Sequence, residues 1–320
     1  MNQRHLPPPR TGGRPAARSG GRTAARSGGR PAARTVTRPT ARTLTALTDR
    51  AITVAARRAA EPGGLRFTER QLYYETCRVL SPGPAFLGRV PGTPAPVLRL
   101  PVFTRALEAR GRETVPGLLP PPSAPHPTPR RAEASEPDLH DYGLPRLLVC
   151  QDRSIAGMLL ANHVHLEAAC PVLAADDLPL DARLVAALER AGGAIVHVLH
   201  DASPSGITLP AGVRAGLGPV PGVRVVSLGL VPRHAAALRL HSGRGPAPGP
   251  AHLAGLPAAL RPKEAGWLAD GRFAQVAAVP PARLVRTVLR LTRGPRPPRD
   301  SLWSGLRGLR GTGFMTWPAA

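Results

Sequence analysis

The chain has 320 residues, 40 of them Pro and 34 Gly, with only 3% aromatic side chains, so much of its length cannot be packed core. A formal charge of +23, carried by arginine apart from the single Lys263, makes a polyanion such as DNA or RNA the expected partner. Three cysteines without CxxC spacing exclude a disulfide framework and a cysteine zinc site, and no stretch reads as a membrane span or signal core. The default location is cytoplasmic and nucleoid-associated.

Residues 1–42 hold ten arginines and no acid, in an eight-residue repeat: TGGRPAAR, SGGRTAAR, SGGRPAAR and the decayed TVTRPTAR. Such repeats cannot bury a face and are expected to form a disordered basic arm. Arg14, Arg22, Arg30 and Arg38 recur at the same place in it. The Gly-Arg-Pro units around Arg14 and Arg30 match the core of a minor-groove hook. Composition favours the simpler polycation, which gains affinity by counterion release.

Residues 43–114 read as a small helical domain. Leu44, Leu47, Ile52, Val54 and Ala55 fall near helical spacing, with Arg57 and Arg58 on the exposed side as further nucleic-acid contacts. Pro62, Gly63 and Gly64 end that helix, and Thr68 is the N-cap expected for the next, which carries Tyr73, Tyr74, Val79 and Leu80 before a turn at Ser81-Pro82-Gly83. A third helix is predicted at 102–110. Helix, tight turn and helix in a basic context suit a helix-turn-helix or winged-helix reader of DNA.

Residues 115–145 read as a Pro-rich linker, and 146–292 as a mainly parallel α/β domain. Strands are predicted at 147–150, 172–174, 194–199 and 223–228, with helices at 155–167 and 181–191. A loop at 241–250 precedes a strand and helix at 274–291, and 293–320 forms a basic, Gly-rich tail. The Asp201-Ala202-Ser203-Pro204-Ser205-Gly206 segment follows the third strand, where open α/β sheets place their ligands. Pro204 and Gly206 are expected to turn it sharply and present Asp201.

Two motifs acquire meaning together. The Asp201 segment resembles the DGDPYG-type element of the Toprim domain in the topoisomerase VI A subunit and the related meiotic double-strand-break proteins. Arg70-Gln71-Leu72-Tyr73-Tyr74 is similar to the R-[DE]-[IL]-[YF]-Y element on that family's winged helix, with Gln71 in place of the usual acid. Leu228-Gly229-Leu230 and Trp267 to Gly271 ahead of Gln275 to Val279 extend the likeness, which covers roughly residues 43–292 in the right order.

The resemblance implies a winged-helix-like domain followed by a Toprim-like domain. It implies Tyr74 as the nucleophile on a DNA phosphate, with Arg70 beside it at (i, i+4) on the same helix face. It also implies Mg²⁺ near Asp201, two protomers for a double-strand break, and a separate ATPase subunit of the B type, since the chain has no P-loop. The acidic set is depleted. Gln151 aligns with the first metal-binding acid although Asp152 stands next door, Ser203 with the third, and Gln275 with a later acidic position. A hard cation needs charged oxygen ligands, so this loss weighs toward weak or absent cleavage. An inactive DNA-binding or chromosome-associated relative, and a basic RNA-binding α/β protein, stay open as alternatives. Helix packing is the competing role for Tyr74 and the favoured one for Tyr73. His163/His165 and His197/His200 lack convincing ligand or acid–base spacing, and Ser154 and Ser205 lack a nucleophile-elbow context.

Overall fold

In the computed structural model, residues 41–81, 92–122 and 143–293 are described. Arg14, Arg22, Arg30 and Arg38, the turn at Pro82-Gly83, most of the 115–145 linker and the tail beyond Arg293 lie outside them.

Helix α1 (Ala41–Ala60) buries Ala51, Ile52, Ala55, Ala56 and Ala59 along one stripe. The small side chains let the following helix lie close. α1 ends where Gly63 and Gly64 take positive φ (80° and 76°), a conformation open to glycine without strain. Helix α2 (Glu69–Leu80) starts with a capping box: Gln71 N–H donates to Thr68 Oγ1 (3.1 Å), and Thr68 N–H donates to Gln71 Oε1 (2.9 Å). Helix α3 (Leu100–Arg110) buries Phe103 and Leu107 and packs on α1. The chain then returns along Phe67, whose N–H donates to Gly117 O and whose carbonyl accepts from Leu119 N–H, both at 2.9 Å. Val115 is buried there, so the first residues of the expected linker close the helical segment.

The second half is built on strands β1 (Arg146–Cys150), β2 (Val172–Ala174), β3 (Ile195–Leu199) and β4 (Arg224–Ser227). They form one fully parallel sheet in the order β2-β1-β3-β4, with Leu148 opposite both Val172 and His197. Strand alternation divides the core. Leu147, Val149, Val196 and Val198 face one apolar cluster together with Leu188 and Val213. Leu148, Cys150 and Leu199 face a larger one that also holds Ile52, Phe67, Leu72, Tyr74, Phe103 and Leu284. Helical segment and sheet therefore share a continuous core.

Around the sheet run α4 (Arg153–Ala161), α5 (Val164–Ala168), α6 (Ala182–Arg190) and α7 (Pro204–Leu217). After β4 come α8 (Pro232–Ala237), a short antiparallel pair of β5 (Gly243–Arg244) with β6 (Arg272–Phe273), and between those strands α9 (Pro250–Ala254) and α10 (Pro262–Ala269). Helix α11 (Pro281–Arg293) closes the described part. No helix among the described residues is long and apolar enough to cross a membrane.

Several segments differ from expectation, the 241–250 loop among them, since it holds β5. The helix predicted at 155–167 breaks into α4 and α5, because Asn162 turns aside to bridge Arg66: its Oδ1 accepts from Arg66 N–H and its Nδ2 donates to Arg66 O, both at 2.9 Å. His163 then adopts a left-handed φ of 56°. The segment 201–206 is a helix start and not a sharp loop: Ser203 Oγ accepts from Gly206 N–H (3.1 Å) with Pro204 in the first turn of α7. Residues 274–279 form a bridge from Ala274 to Ala202 and a 3₁₀ turn at Val276–Ala278 instead of a strand.

Candidate functional site

The residues singled out around Tyr74 and Asp201 come together from distant parts of the chain. α2 supplies Arg70 and Tyr74, the end of β1 supplies Gln151 and Asp152, the end of β3 supplies Asp201, and the turn before α11 supplies Gln275 and Val276. Parallel strands explain part of this meeting, because β1 and β3 end side by side with Cys150 opposite Leu199.

Tyr74 is 3% exposed, and its hydroxyl donates to Gln275 Oε1 at 2.9 Å. Its ring stacks on His241 (centroids 6.2 Å apart, planes 13° apart) and tilts against Tyr73 at 5.0 Å. Burial pushes the Tyr74 phenol up to about 12; Arg70 opposes the shift and Asp201 adds to it. Tyr73 donates to Leu98 O (2.8 Å) and meets Phe103 edge-on at 5.5 Å, the packing role expected for it. Arg78 fastens the same helix to the turn, bonding Glu75 and Ala278 O.

Asp201 Oδ1 accepts from Val276 N–H at 2.7 Å, while its own N–H donates to Gln151 Oε1 at 2.8 Å. Burial raises its carboxyl to about 6 against the pull of the Val276 N–H; Asp152 raises it further and Arg70 lowers it. Gly206 lies so close that a Cβ there would overlap Asp201 O and Gln151 Oε1. Asp152 caps α4 by accepting from Ser154 N–H (2.7 Å).

Each position where the resemblance expects an acid has a structural task here. Gln151 binds the Asp201 amide, Ser203 caps α7, Gln275 binds the tyrosine, and Gln71 completes a capping box that Glu or Gln serves equally. No group of three or more His, Cys, Asp or Glu among the described residues is placed to hold a metal ion. Asp201 and Asp152 each have one oxygen bonded to a backbone N–H group and stand without a third acid among the described residues, a sparse donor set for Mg²⁺.

Arg70 makes no ion pair among the described residues and lines an open cleft of about 440 Å³, together with Glu69, Leu119, Pro121, Arg153 and Ser154. Glu69 is paired with Arg112 and Arg153 with Asp177, so Arg70 is the cation left to face a ligand there. Arg57 and Arg58 are exposed on the last turn of α1 and make no hydrogen bond or ion pair among the described residues.

Of the histidines, His200 has a clear structural role. Its Nδ1–H donates to Asp201 O (2.9 Å), and Ser227 Oγ lies 2.7 Å from Nε2, placed to donate to it. Gly229 leaves room for that ring, since a Cβ there would overlap it. His197 is buried with both ring nitrogens unpartnered, and His163 and His165 stand 6.5 Å apart around the helix break. The stacking partner His241 was not legible in the sequence, because it lies 167 residues from Tyr74 and belongs to no local motif.

No family model, curated protein or solved structure matches the chain.

Proposed function

We propose that this chain is a duplex-DNA-binding protein built on the plan of the topoisomerase VI A subunit, with a winged-helix-like helical segment and a Toprim-like sheet. In this reading the tyrosine–aspartate cluster is kept as a tie between the two halves, and metal-dependent cleavage has been lost. The observation that carries it is the state of Tyr74. A nucleophilic phenol must reach a phosphate and give up its proton. Here it is buried, bonded to Gln275 and pushed up to about 12. DNA affinity would come from arginine, and a nucleoid-associated role follows.

A second reading is favoured by the convergence of Arg70, Tyr74, Asp201 and Asp152. In it, Tyr74 swings off Gln275 toward the Arg70 cleft. Its oxygen forms a bond to phosphorus, the phosphorus–O3′ bond breaks, the leaving oxygen takes up a proton, and Arg70 offsets the charge on the phosphorane. A double-strand cut would need a second protomer, and coupling to ATP a separate subunit.

One experiment separates these readings. The protein is incubated with supercoiled plasmid and Mg²⁺ or Mn²⁺, quenched with denaturant and assayed for protein covalently attached to DNA. The expected result is retention of the plasmid before the quench and no adduct after it. Adducts that disappear in Tyr74→Phe would establish cleavage instead, and failure to retain plasmid or linear duplex would remove DNA as the partner.

A further inference from the structure

Helix α11 carries Arg283, Arg286, Arg290 and Arg293. At 3.6 residues per turn these positions fall within an arc of roughly 80° and span about 15 Å of helix. All four are exposed, while Leu284, Val288 and Thr292 on the other side are buried. Arg293 is held by Glu167, at 2.9 Å from its carboxylate and 2.7 Å from its carbonyl. Arg283, Arg286 and Arg290 have no hydrogen-bond or ion-pair partner among the described residues.

A helix face that only meets water usually interleaves acids with bases at (i, i+4). α11 contains no acid at all. Its arginines instead follow one another at (i, i+3) and (i, i+4), where like charges repel. Arg283 and Arg286 also sit toward the positive end of the helix dipole, the less favourable end for a cation. This arrangement is costly alone and is relieved by an external row of negative charge. A lipid surface is a poor match, because the apolar side of α11 is already used in the core. Guanidinium groups evenly placed along a line suit phosphates, which they bind through forked, charge-assisted hydrogen bonds. α1 packs against α11 and ends in the exposed Arg57 and Arg58.

We propose that the outward face of α11 docks on the phosphodiester backbone of duplex DNA, through Arg283, Arg286 and Arg290. The inference rests on the DNA-binding reading and adds to it a surface other than the Tyr74 cluster. Contacts of this kind fix position on the duplex without reading bases.

The test uses the full chain and a 20-base-pair DNA duplex, with affinity followed by fluorescence anisotropy between 50 and 200 mM salt. Each lost phosphate contact flattens the log–log salt slope by about 0.9. The triple variant Arg283→Gln/Arg286→Gln/Arg290→Gln is expected to bind more weakly, with a slope shallower by roughly 2–3. Arg290→Gln alone should flatten it by about 1, and serves if the triple variant does not fold. The triple lysine variant should keep the parental slope. Wild-type binding with an unchanged slope in the glutamine variants overturns the α11 surface and leaves the DNA reading standing. No binding of wild type to the duplex overturns both. A loss confined to an RNA duplex of the same length overturns DNA as the occupant of this face.

Discussion

Asp201 shows how one side chain records its surroundings. Its carboxyl is raised from 3.8 to about 6, chiefly by burial, so between those values the folded protein holds a proton that the unfolded chain releases. More protons in the folded state means that the Asp201 contribution to stability falls as pH rises through this window, and the full penalty stands above pH 6. Asp201→Asn keeps an oxygen for the Val276 N–H and removes the titration. The stability of Asp201→Asn relative to wild type should therefore climb from pH 4 to pH 6 and level off, by on the order of 2 kcal/mol. Urea midpoints of both proteins across pH 4–7 measure this. The comparison is needed because burial lowers His197, His200 and His241, which act in the opposite sense and make folding less stable below their ordinary value of 6.5. A flat difference would show that the carboxyl is not desolvated.

At the scale of elements, what could be read in advance depended on where the determining contact lies. The strands ending at Cys150, Ala174 and Leu199 were legible because a buried parallel strand is a short apolar run in its own right. The Thr68 cap was legible because its partner is three residues away. The break after α4 was not, since Asn162 leaves the helix for Arg66, 96 positions distant. The turn at Val276–Ala278 escaped for the same reason, its geometry being tied to Asp201. α7 was missed differently: Ser203 and Pro204 are a proper helix start signal, but the segment was read as a sharp turn, and Pro210 inside the helix weakens its pattern. The Asn162 bridge supplies the prediction at this scale. Asn162→Ala should cost about 1–2 kcal/mol, two modest hydrogen bonds at a partly exposed site, and leave β1–β4 intact. Chemical denaturation gives the number; hydrogen exchange should show faster opening around Phe67 and at the α4–α5 junction while Leu147 to Cys150 stay protected.

Across the whole molecule, the candidate site was legible as a list of residues before it was legible as an arrangement. Arg70, Tyr74, Asp152 and Asp201 lie near one another, yet the hydrogen bonds that define their state involve Gln151, Gln275 and Val276. Those bonds form only because the helical segment and the sheet share one apolar cluster, running from Ile52 and Phe67 through Leu148 to Leu284 and Val288. A continuous core implies joint melting. Calorimetry of the full chain should give a single transition with calorimetric and van't Hoff enthalpies in agreement. Two resolved transitions would mean that the halves fold independently and that the Tyr74–Gln275 bond is a docking contact.

The neighbours Gln275 and Val276 do two jobs at once, one through a side chain and the other through the backbone. Tyr74 is engaged by the first and Asp201 by the second. Building a cation site here is therefore not only a matter of swapping amides for acids. Even with glutamate at positions 151 and 275, the main chain at 276 would still hold one oxygen of Asp201, so an incoming cation would compete with that N–H for the carboxylate.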